Sequence, residues 1–136
     1  LVGLGTDGCS SSNDLDMFAV MRLAANVARL VRDDPAAISS RAIVRAATLD
    51  GAVAIGLGDR IGSIEPGKEA DLVALDLQAA HLVPLHDPHT AVVYAAGRSD
   101  VSDVWVAGEQ VVRDRRPTRV DSAEVLATAR EWVARG

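Results

Sequence analysis

The sequence predicts a mixed α/β chain, and three observations lead there. Apolar residues recur at the helical period between residues 14 and 32. Short apolar runs over 71–77, 101–107 and 110–113 are bounded by glycine, proline and acidic residues, as strands are. The 136 residues are 49% hydrophobic and 24% charged but only 3% aromatic. Core volume therefore comes from Ala, Val, Leu and Ile, a palette suited to helix–sheet packing.

Taken in order, Leu1 to Thr6 reads as a short apolar strand ending at Asp7-Gly8. The polar stretch Cys9 to Asn13 is a loop, from which Ser12 or Asn13 caps a helix running from Asp14 to Arg32. Leu15, Phe18, Met21 or Arg22, Ala25 and Ala28 form its stripe, and Asp33-Asp34-Pro35 ends it. A second helix follows Ser39-Ser40 and carries Ile43, Ala46 and Ala47. A third covers Leu49 to Ile55 and closes on Gly56 or Gly58. Pro66-Gly67 supplies the central residues of a type II turn before a strand from Asp71 to Leu77. A loop from Val83 to His89 leads to a short apolar helix over Thr90 to Ala96. Two strands, Val101 to Ala107 and Gln110 to Arg113, are joined at Gly108-Glu109. A last helix, Ser122 to Ala134, is capped by Asp121 or Ser122 and is expected to bury Leu126, Ala129, Trp132 and Val133.

Composition excludes several classes of function. The net charge is −5, and Arg115-Arg116 is too short to track a phosphate backbone, so nucleic acid is not an expected partner. No apolar run approaches the roughly 20 residues of a membrane span, so no membrane partner is expected. The single cysteine, Cys9, allows no internal disulfide and reads as cytoplasmic. The apolar opening Leu1-Val2-Gly3-Leu4-Gly5 reads as the inside of a buried strand, so the chain is expected to be part of something larger.

Asp7 is the candidate for chemistry. It ends an apolar strand between Gly5 and Gly8, and a carboxylate there can ligate a metal or accept a proton. It can equally cap a turn, as Asp before Gly often does. His81, His86 and His89 lack metal-ligand spacing; His86 is expected to make structural hydrogen bonds and His81 to lie at the surface. Cys9 has no histidine indicated beside it. Gly3-x-Gly5 lacks the third glycine of a nucleotide loop and is followed by an acid. Trp105 and Trp132 read as packing residues.

Three segments together resemble one family. Gly5-Thr6-Asp7-Gly8 with Ser11-Ser12-Asn13-Asp14-Leu15-Asp16-Met17 is similar to the last barrel strand and loop of the amidohydrolase superfamily, in the branch of methylthioadenosine/S-adenosylhomocysteine deaminases and triazine chlorohydrolases. Ala46 through Ala52, Ile55-Gly56-Leu57 and Ile61 through Val73 resemble its passage from barrel helices into a β-sandwich. His86-Asp87-Pro88, Val93-Tyr94-Ala95-Ala96 and Ser102 through Gly108 resemble its closing segment. Many relatives read Ser-Asn-Asn where this chain reads Ser-Ser-Asn.

The resemblance implies the last strand and helices of a metal-dependent (β/α)8 barrel plus the C-terminal part of the accompanying sandwich. Residues 1–60 would be the terminal barrel strand and helices and 61–84 a sandwich strand segment. Residues 85–100 would be a barrel-packing helix, 101–120 a sandwich hairpin and 121–136 a C-terminal helix. Asp7 would ligate the metal, zinc in most relatives, and deprotonate the water bound to it. That water attacks a ring carbon bearing an amine or halogen. Ser11, Ser12 and Asn13 would line the substrate pocket, with Ser11 the foremost contact. The substrate would be a small heterocycle, an aminopurine nucleoside first, with a triazine, a guanine-like purine or a cyclic amide as alternatives. The intact enzyme is expected to be a homo-oligomer, and this chain alone inactive. A non-catalytic binding or assembly domain derived from the same fold is the competing expectation.

Overall fold

The computed structural model describes residues 1–135. Residues 1–8 form no strand among the described residues, contrary to the sequence reading. A strand needs a ladder, and the segment has one long-range backbone bond, from the Leu4 N–H to the Ala46 carbonyl at 3.0 Å. Leu1 and Val2 lie exposed.

A single turn, α1 (Cys9–Ser12), follows and closes on Asn13 in the left-handed conformation. The long helix α2 (Met17–Arg32) then starts three residues later than Asp14. Its cap is Asp16, whose carboxylate accepts from the Phe18 and Ala19 N–H groups at 2.9 and 3.2 Å. Ser12 and Asn13, the expected caps, close α1 instead. At its far end Asp33 takes the left-handed cap position (φ 50°), and the Asp34 N–H returns to the Arg29 carbonyl. Ser39 caps α3 (Ser40–Ala47) through the Ala42 N–H, as its sequence position suggested. Helix α4 (Leu49–Ala54) ends in a Schellman motif, with Gly56 N–H on the Val53 carbonyl and Leu57 N–H on Ala52.

The predicted Pro66-Gly67 turn is present: Gly67 has φ 94°, and Lys68 N–H closes on the Glu65 carbonyl at 3.2 Å. Lys68, almost buried, donates from Nζ to the Gly58 carbonyl and Ser63 Oγ, both at 2.6 Å. The turn delivers the chain into β1 (Leu72–Leu75). A 3-10 turn over Ala80–Leu82 precedes α5 (Pro88–Thr90), which runs on as a π-helical turn over Ala91–Ala95. This helix begins earlier than expected, because Asp87 caps it through the Thr90 N–H at 2.7 Å and Pro88 fits its first turn.

After a 3-10 turn, Arg98–Asp100, come β2 (Val101–Val106), β3 (Glu109–Arg113) and the two-residue β4 (Arg116–Pro117), which the sequence did not suggest. The sheet is antiparallel in the order β1-β2-β3-β4. The hairpin turn is Ala107-Gly108 rather than Gly108-Glu109, with Val106 paired to Glu109. Ala107 holds a positive φ of 49° because both turn amides are bound, Ala107 N–H by Asp71 Oδ1 and Gly108 N–H by the Ala70 carbonyl.

The core sits between helices. Val93 on the π-turn is fully buried with Met21 and Ala25 of α2 and Ile43 of α3, and Leu4 and Phe18 pack on its margin. The guanidinium of Arg22 crosses to the end of that turn and donates to the carbonyls of Val93 (3.3 Å) and Ala96 (2.8 Å). These carbonyls sit where helical partners run out. The final helix, α6 (Ser122–Arg135), is capped by Asp121 through the Ala123 N–H. Every described residue of α6 is exposed, including Leu126, Ala129, Trp132 and Val133, which were expected to be buried. Its apolar stripe exists, but the described residues provide no element to cover it.

Val93→Ala is expected to cost about 2 kcal/mol, read as a lower urea midpoint at unchanged slope. Val73→Ala, at a position 60% exposed, should change the midpoint little. An equal loss at both positions would mean that the Val93 contact is not the centre of the core.

Candidate functional site

The segment leading to Asp7 is fixed by backbone approach rather than by sheet pairing. A Cβ on Gly3 would lie 2.8 Å from the Gly51 Cα, so only glycine lets this backbone run against α4. Together with Leu4 on Ala46, this lays residues 3–5 along one wall of an open groove of about 1050 Å³. Leu4, Val44, Ile55, Ile64 and Val73 make that groove largely apolar, and His89 also lines it.

Asp7 follows in the left-handed conformation (φ 59°), which Asp tolerates better than most residues. Its Oδ1 accepts the Gly8 N–H at 2.6 Å. That N–H, and after it the Ser11 hydroxyl, holds the Asp7 carboxyl below the usual carboxylate range. Ser11 Oγ lies within reach of both this carboxylate and the Gly8 carbonyl (3.1 Å), with one hydrogen to give. Asp7 is therefore an exposed carboxylate held in its charged form.

The loop beyond it is built on the Gly8 carbonyl. It accepts from the Ser11 and Ser12 N–H groups at 3.1 and 3.0 Å and lies 3.2 Å from Ser12 Oγ. Ser12 Oγ also lies 2.6 Å from the Asp14 carbonyl. Ser11, Ser12 and Asn13 are all exposed, and the Asn13 amide side chain makes no hydrogen bond among the described residues. Cys9 is exposed beside them with a free thiol.

The histidines are spread out. His86 is exposed and makes no hydrogen bond among the described residues, so its expected structural role is not met. The ring lines a small cleft with Tyr94 and Pro84. His89 faces Asp87 at 3.6 Å. His81 is at the surface as expected, yet its Nε2 meets the buried Asp100 at 3.1 Å. The His81 ring and the Gly97 N–H (2.8 Å) hold the Asp100 carboxyl below its usual range. Sequence reasoning missed Asp100. The available signal was an acid three residues after Gly97, where it reaches back to a free N–H at a helix start.

No three His, Cys, Asp or Glu side chains come together among the described residues. A catalytic zinc takes three protein ligands. These residues taken alone therefore do not fit a zinc site, and Asp7 supplies one donor. No described helix is long and apolar enough to cross a membrane.

Residues 1–111 match the amidohydrolase family. The chain belongs to that family. It is 47% identical over 131 residues to a 5-methylthioadenosine/S-adenosylhomocysteine deaminase of Teredinibacter turnerae, covering 96% of this chain and 30% of the relative. The structure superposes on a zinc-bound adenosine deaminase from Xanthomonas campestris with a TM-score of 0.93 at 50% identity, covering 98% of this chain and 30% of that one. It also superposes on an atrazine chlorohydrolase from Arthrobacter aurescens complexed with zinc, at a TM-score of 0.82 and 28% identity, covering 91% and 28%. The chain thus spans about 30% of the length of the relatives it matches, and its helices and antiparallel sheet are that portion of the amidohydrolase fold.

Purified residues 1–136 should bind less than one equivalent of zinc tightly, measured by metal analysis after dialysis. One tightly held zinc per chain, lost in Asp7→Asn, would mean that the scattered donors assemble after all.

The stability that Asp100 contributes should be complete above the unfolded carboxyl pKa of about 3.9 and fade as pH falls through the lower folded value. Asp100→Asn should accordingly lower stability at pH 7 by about 2 kcal/mol, read as a lower urea midpoint. The gap to wild type should close in acid.

Proposed function

We propose that residues 1–136 serve as the C-terminal portion of a metal-dependent hydrolase that deaminates an aminopurine nucleoside, with Asp7 as a metal ligand and proton acceptor. The observation that carries this reading is Asp7 itself. An exposed, charge-stabilised carboxylate ends a glycine-flanked segment in a chain half identical to a zinc-bound adenosine deaminase. Zinc, held by Asp7 and by ligands outside these residues, would supply Lewis-acid activation of water.

This chain's own part is to hold charge and orient groups. The Gly8 N–H occupies one side of the Asp7 carboxylate and keeps it anionic, the form in which it would ligate a cation, and its other oxygen would take the proton of the attacking water. Ser11, Ser12 and the free amide of Asn13 form the polar edge beside it and would contact the heterocycle. The net change replaces the exocyclic amine of the ring with oxygen and releases ammonia. The 28% identity to a chlorohydrolase keeps halide as a second leaving group.

A homo-oligomer and a cytoplasmic setting belong to the same reading. Exposed Leu126, Trp132 and Val133 support the first, because apolar areas of this kind are usually covered by packing. The free exposed thiol of Cys9 supports the second.

The test is a graft in which these residues replace the corresponding 30% of the Xanthomonas enzyme. The graft should bind zinc and release ammonia from adenosine or 5-methylthioadenosine. Asp7→Asn should lower kcat by about 10³-fold, the middle of the range for a lost proton acceptor. A folded, zinc-loaded graft with no turnover on aminopurine nucleosides would favour the assembly-domain alternative, and turnover on a triazine alone would reassign the substrate.

A further inference from the structure

The loop from Gly8 to Asn13 is held almost wholly by itself. Its hydrogen bonds run among residues 6–14, and Leu15, the first apolar residue after it, is 62% exposed and anchors nothing. Among the described residues, one distant side chain hydrogen-bonds the end of this loop. Arg98, 84 residues further along the chain, brings Nη1 to 2.6 Å from Asp14 Oδ1 and Nε to 4.0 Å from Asp16 Oδ2. Asp14 ends the loop, and Asp16 caps α2. A single guanidinium thus spans the joint between them.

The other end of the tie is anchored. Arg98 opens the 3-10 turn whose last residue, Asp100, is buried and bound by Gly97 N–H and His81. The Asp100 carbonyl accepts the Asp76 N–H at 2.8 Å, and the Ser99 carbonyl accepts from Arg115 Nε at 3.2 Å. The backbone carrying Arg98 is therefore pinned to the end of β1 and to the β3–β4 corner.

We propose that Arg98 is a positioning residue for the substrate loop: through Asp14 and Asp16 it fixes the Gly8–Asn13 turn beside Asp7. The kinetic consequence rests on the functional reading given above, whereas the tie itself does not. The pair is exposed on both sides, with side chains 69% and 48% accessible. Exposed ion pairs contribute little to global stability, so the effect belongs to the loop and not to the fold. Salt screens such a pair and should loosen the loop in the same way as removing it.

Hydrogen exchange on the 136-residue chain reads the tie without any activity. Arg98→Met should speed exchange of the Gly8–Asn13 amides about three- to fivefold, the scale of an exposed ion pair, leaving α2, the sheet and the urea midpoint unchanged. Arg98→Lys should recover part of the protection, and the charge swap Asp14→Arg with Arg98→Asp most of it. High salt should bring wild type towards Arg98→Met. In the active graft, Arg98→Met should raise KM by about the same factor with kcat nearly constant. Unchanged loop exchange in Arg98→Met overturns the proposal, as does loss confined to kcat. A graft inactive with Arg98 in place would refute the catalytic reading, while the exchange comparison would still decide the tie.

Discussion

Val93, fully buried against Met21, Ala25 and Ile43, is the contact that gives the other elements their places. It locks the π-turn into the angle between α2 and α3, where small side chains allow the helices to close in. The fully buried Ala25 of α2 serves that approach, in a chain with few aromatics to fill space. The π-turn leaves carbonyls facing α2, and Arg22 satisfies two of them. One apolar contact and one charged cap thus hold together elements about 70 residues apart in sequence.

Because that core is small, the periphery is organised by polar and backbone contacts. Gly3 on Gly51 and Leu4 on Ala46 lay down the approach to Asp7. Lys68 knots the turn before β1, Asp71 seats the hairpin, and Asp100 ties the entry of β2 to the end of β1. Of these, Lys68 and Asp100 are polar groups largely out of solvent with their partners present, the arrangement in which polar contacts specify geometry. The loop at Asp7 lies at the edge of this system, exposed and locally closed, which suits a site that other groups complete.

Family membership and chemistry rest on different evidence. The match over residues 1–111 and the close superpositions settle the fold and the family. A methylthioadenosine/S-adenosylhomocysteine deaminase and an atrazine chlorohydrolase share this portion of the fold, so the architecture does not by itself fix the reaction. This chain spans about 30% of those relatives, and it carries an exposed carboxylate, Asp7, followed by an exposed polar loop.

Local chemistry made much of this legible in the sequence. Ser39 before α3, the glycine closing α4, the Pro66-Gly67 turn and the short apolar runs of β1 to β3 depend on nearest neighbours, and the structure contains them all. The motif around Asp7 likewise carried its family in a few adjacent residues. What failed or was missed depended on distant partners. Leu1 to Thr6 has strand composition but no ladder to join, and α6 has an apolar stripe but nothing to bury it against. Asp16 won the cap of α2 over Ser12 and Asn13, which α1 used first. The buried Asp100, the crossing of Arg22 and the reach of Arg98 to Asp14 join residues 19 to 84 positions apart. Sequence alone determined the turns and most helix and strand positions, because those choices are made within a few residues. Tertiary structure decided which charges meet and which apolar faces are covered, because both depend on where the chain returns.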